Sequence, residues 1–98
     1  MMEFDKNAAI AKIANHYGLE AQLDQTIEEC AELILAIRKY KRNCVDVKVR
    51  ANFVEEIVDV SIMIKQLKYL MVGLDDYKIG VWENAKLKRQ LERIKKEC

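Results

Sequence analysis

Proline is absent from the 98-residue chain, and glycine occurs only at Gly18, Gly73 and Gly80. A sandwich or barrel needs many tight turns, which these two residues usually supply, so an all-β fold has almost no room here. The same scarcity removes a Gly-rich phosphate loop, and neither the Walker nor the dinucleotide fingerprint occurs. Any phosphate chemistry must therefore use something other than a backbone cradle. The single histidine, His16, has no cysteine at ligand spacing, which argues against zinc. No run approaches the roughly 18 apolar residues of a membrane-spanning helix. Cys30, Cys44 and Cys98 are odd in number, lack CxxC spacing and follow no apolar signal segment. Free thiols in a reducing cytoplasm are the expectation. An excess of one charge is also missing: 17 basic residues face 16 acidic ones, so neither nucleic acid nor membrane is an expected partner.

What is present is a globular composition, 51% hydrophobic and 34% charged, sized for one domain over residues 1–98. The charges are sorted by sign. Six basic residues and one acid, Asp46, fall between Arg38 and Arg50, and six more bases with only Glu92 fall between Lys86 and Lys96. Carboxylates gather at Glu28, Glu29, Glu32, Glu55, Glu56 and Asp59. Such sorting costs repulsion and invites a counter-ion.

Hydrophobic spacing predicts an all-α fold of four helical stretches. The first covers about residues 3 to 17 and stops at Gly18; the second runs from about Leu19 to Arg42. The basic, β-branched segment Val45 to Val49 reads as an exposed connection. A third stretch spans about Ala51 to Val72 and ends at Gly73. Asp75 or Asp76 caps the fourth, which runs to about Lys95.

At about 100° per residue, the third stretch places Val60, Met63, Leu67 and Leu70 on one stripe, with Glu56 and Asp59 among them. Ser61, Lys65 and Lys68 fall on the opposite side. In the second stretch Gln22, Gln25, Glu29 and Glu32 form a narrow polar track on a helix that is otherwise largely apolar, which implies a subunit interface as well as an internal one. Each helix thus offers two carboxylates three residues apart, on one face and one turn from each other. Packed together, they would bring four oxygen ligands to one place, a donor set suited to Mg²⁺ or Mn²⁺. The competing reading is a buried set of acids answered by lysines from a neighbouring helix.

The run Glu28-Glu29-Cys30-Ala31-Glu32, followed after 23 residues by Glu56-Ile57-Val58-Asp59, resembles the EExxE…ExxD signature of the MazG-like all-α nucleoside triphosphate pyrophosphohydrolases. The stretch His16-Tyr17-Gly18-Leu19-Glu20 with Gln22 and Gln25 is similar to short members of that family. Asn84-Ala85-Lys86-Leu87-Lys88-Arg89 is similar to the NxKxxR pattern of its last helix. The resemblance implies a four-helix MazG-like bundle completed by oligomerisation, as a homodimer or homotetramer. It implies a Mg²⁺-dependent enzyme that cleaves a nucleoside triphosphate to the monophosphate and pyrophosphate. Carried over, Glu29, Glu32, Glu56 and Asp59 are metal ligands, and Glu28 or Glu32 is the catalytic base. Gln22, Gln25, Asn84, Lys86 and Arg89 are substrate-binding. Cys30 is unusual inside the motif.

Apart from the family, Trp82, Lys86, Arg89 and Arg93 share one face of the fourth stretch, where cations and an indole suit a nucleotide, or else simply form a solvated face. His16 reads as a helix-end residue more readily than as a general base. Two other classes compete. A di-iron bundle would require Glu-x-x-His motifs, and His16 is not so placed. A non-enzymatic helical dimerisation module would need no metal.

Overall fold

The computed structural model describes residues 3–97 and is all-helical among them. Helix α1 spans Lys6–Arg42, α2 spans Val47–Leu70 and α3 spans Asp76–Glu97. The first two expected stretches are joined in α1, but Gly18 interrupts it with φ 86° and ψ 168°, far from helical values. A side chain there would be strained, so glycine lets the two segments take different directions.

Short polar side chains set the helix starts. Asp5 accepts a hydrogen bond from the Ala8 amide at 3.0 Å, and Asp75 accepts one from the Lys78 amide at 2.8 Å. Asp46 accepts from both Lys48 and Val49 amides, at 2.8 and 3.1 Å. That double cap corrects the expected boundary: α2 starts at Val47, and the basic segment closes two helices instead of forming a long loop. The cap satisfies amides that would otherwise be orphaned, which outweighs the weak helix propensity of two valines. Cations in the last turn of α1, Lys39, Lys41 and Arg42, also suit its negative end.

Among the described residues, α1 and α2 are the helices that pack along one another. Among the described residues, Ala14 and Ala36 of α1 and Met63 of α2 are the buried apolar ones, and no large side chain is fully enclosed. Ser61 and Lys65, expected opposite the acid-bearing stripe, line a groove of about 520 Å³ with Ile10 and Ile13 of α1. Helix α3 is joined to α2 by the ion pair Lys68–Asp76, 2.9 Å long. Asp76 is 91% exposed, so this link contributes little. The radius of gyration is 17.0 Å, against about 13 Å for a compact chain of this length. Apolar surface is correspondingly open: Ile27, Leu87 and Leu91 are all more than half exposed. No helix among the described residues is long and apolar enough to cross a membrane.

Candidate metal centre

A polar ladder crosses the α1–α2 interface. The Asn15 amide donates to the Tyr69 hydroxyl at 2.7 Å. The Gln22 amide donates to the Gln66 side-chain carbonyl, and both residues are buried, at 6% and 3% exposure. Further along α1, the Gln25 amide donates to Glu29 Oε1 at 2.8 Å. Residues 22, 25 and 29 follow helical spacing, so the face that holds the glutamine pair also aims Glu29 at α2.

There Glu29 meets Glu56 and Asp59. One ligand oxygen from each of the three lies within 4.8 Å of the others. Glu29 and Glu56 are half-buried and Asp59 is exposed, so the cluster opens to solvent on one side. Glu56 Oε2 is shut off from solvent and has no hydrogen-bond partner. Burial pushes the Glu56 carboxyl above its ordinary range; the charges of Asp59, Glu29, Glu32 and Glu55 push it further. No lysine or arginine is paired with the cluster among the described residues. The rival sequence reading, acids answered by neighbouring lysines, therefore lacks its lysines here.

An unpaired buried carboxylate oxygen is costly unless a proton or a cation meets it. The donors are all hard oxygens, converge from two helices and leave an open side. This set fits Mg²⁺ or Mn²⁺ in chemistry and in charge.

The other expected site residues fall into three groups. Glu32 lies outside the compact triad, yet close enough for its charge to act on Glu56. Glu28 is exposed on α1. Gln22 is buried between the helices with its amide taken up by Gln66, and Gln25 holds Glu29. Asn84, Lys86 and Arg89 are exposed on α3, which does not pack along the α1–α2 pair. Lys86 Nζ lies 6.0 Å from the centre of the Trp82 ring, so indole and cation do share a face. His16 is exposed and meets the Tyr17 ring edge-on at 4.7 Å. Cys30 and Cys44 are free and exposed; Cys98 lies outside the described residues.

Gln66 is the member that sequence reasoning missed. It lies seven residues after Asp59 on the same stripe, as Asn52 lies seven before, and that spacing was the available signal. The chain matches no protein-family model, no curated protein and no solved structure.

Proposed function

We propose that this chain is a Mg²⁺-dependent nucleoside triphosphate pyrophosphohydrolase of the MazG-like kind. The observation that carries the reading is the triad Glu29, Glu56 and Asp59, whose oxygens converge around a buried carboxylate oxygen with no partner. These three would hold the cation, with Glu32 beside them. Bound Mg²⁺, or Mn²⁺, neutralises triphosphate charge and makes water more acidic. The protein's own groups do the rest. Gln25 fixes the Glu29 carboxylate through its 2.8 Å hydrogen bond, so the ligand oxygen keeps its direction. Glu28 or Glu32 takes the proton as water attacks. Lys86 and Arg89 balance charge on the departing pyrophosphate while Trp82 offers a stacking face. Because α3 does not pack on its own hairpin, those cations reach the acids in an assembly of two or four copies, the four-helix bundle that the family resemblance implies.

The test is a panel of nucleoside triphosphates with Mg²⁺, scored for pyrophosphate and monophosphate release. Release from at least one triphosphate is expected, lowered on the order of a hundredfold or more by Asp59→Asn with helix content unchanged. Absence of release across the panel, together with a melting temperature indifferent to Mg²⁺, returns the chain to the alternative reading of a helical dimerisation module. The exposed apolar faces of α1 and α3 are what favour that alternative.

A further inference from the structure

Helix α1 carries a second pattern that the acid cluster does not use. Leu23, Ile27, Cys30, Ile34 and Ile37 recur at alternating steps of four and three, with Lys41 next in the series. This is the spacing of a helix–helix seam. At about 100° per residue it lies roughly 120° around α1 from Gln22, Glu29 and Ala36, which face α2. The seam is open: Leu23 is 38% exposed, Ile27 69%, Ile34 54% and Ile37 38%, and Cys30 is exposed as well.

We infer that a second copy of this chain docks on this seam, antiparallel, with the two-fold axis beside Cys30. The inference rests on the self-association in the proposed function, and it names the surface. The pattern is symmetric about its middle, so an antiparallel copy sets Leu23 against Ile37 and Ile27 against Ile34, with the two Cys30 residues facing each other. Charge decides the direction. Asp24 and Arg38 flank the seam on one side, seven residues before and after Ala31, and both are exposed. Antiparallel packing brings same-flank residues together, so Asp24 of each copy meets Arg38 of the other across a small Ala31–Ala31 crossing. Glu20 and Lys41 extend the match at the ends. A parallel pair would set that flank against the opposite one, Thr26, Leu33 and Tyr40, and leave both charges unpaired. The seam and the acid triad then share one helix, and Cys30 is the residue next to Glu29, so docking fixes the helix from which the first acid projects.

The test uses the full chain. In a C44S/C98S background, a short bismaleimide should couple the two Cys30 thiols and give a covalent dimer, lost in the further variant Cys30→Ser. Sedimentation should report a dimer at micromolar concentration. Asp24→Lys should raise its dissociation constant on the order of tenfold, since the dimer gains two like-charge contacts. Adding Arg38→Glu should restore it, because the swapped charges again oppose. Ile27→Glu should give a helical monomer. A monomeric wild type, or a dimer with no Cys30 coupling that survives Ile27→Glu, overturns the proposal. So does failure of the charge swap to restore association. Pyrophosphate release is measured separately, so a dimer built on another surface sinks this inference and leaves the catalytic reading to its own assay.

Discussion

Burial of one oxygen, and then the charges of Asp59, Glu29, Glu32 and Glu55, disfavour the ionised form of Glu56. The folded chain therefore holds the Glu56 proton more tightly than the unfolded chain does. Protonation contributes stability that is complete below the ordinary value of 4.5 and lost as pH rises through the raised folded value. Metal-free Glu56→Gln should accordingly melt higher than wild type at neutral pH, and the difference should vanish on acidification below 4.5. Mg²⁺ should raise the melting temperature of the wild type and not of the variant. A pH-independent difference in calorimetry would mean that the Glu56 charge is not its source. The neighbouring Gln22–Gln66 pair obeys a different rule, since the Gln22 amide donates to the Gln66 side-chain carbonyl inside the interface. Gln22→Ala strands the Gln66 side chain and should cost about 1–3 kcal/mol in chemical denaturation. Replacing both glutamines by leucine should be close to neutral. The acids were legible in the sequence because charge inside an apolar stripe needs an explanation. Gln66 was not, because a glutamine suits a wet face and a buried network equally well until its partner is placed.

At the scale of elements, the sequence located the breaks better than the starts. Gly18 and Gly73 both sit at positive φ, where side chains are disfavoured, so those boundaries were readable from residue type alone. The start of α2 was not, because Val45 to Val49 looks extended by propensity, whereas Asp46 supplies two hydrogen bonds that make it helical. Gly18 also permits a direct test. Space around it is open, with nothing within 4 Å of an added Cβ, so Gly18→Ala carries only backbone strain. A region populated almost solely by glycine should cost about 1–3 kcal/mol. Denaturant titration should register that loss, with the ladder Asn15–Tyr69 the first contact to loosen because it lies just before the break. An unchanged midpoint would show that α1 runs straight through residue 18 in solution.

For the whole molecule, periodicity could establish that α3 is amphipathic and could not say which surface covers it. That depends on the packing of complete helices, not on any spacing within one. Trp82, Lys86 and Arg89 share one face of α3, while Lys88 lies about 130° from Lys86 and Arg89 on average. If the first face meets triphosphate, Lys86→Ala or Arg89→Ala should raise KM and lower kcat together, by roughly ten- to a hundredfold in kcat/KM. Lys88→Ala should change little. Equal losses at all three positions in steady-state kinetics would indicate a diffuse field and not a contact.

The four-residue connection from Asn43 to Asp46 has a kinetic consequence. Pairing between α1 and α2 can begin beside a nearly closed loop and advance outward, so each new contact adds little closure entropy. Glu29 and Glu56 lie 27 positions apart in the chain but are neighbours along that advancing front. The acid triad is therefore formed in a first-order step whose rate ignores protein concentration. Covering the open faces with a second copy, as proposed, would be a second-order event that slows on dilution. On the proposed function, a dilute chain would pass through an interval in which it holds its carboxylates in place with their neighbouring cations still absent, competent to take up metal before it can hold a nucleotide.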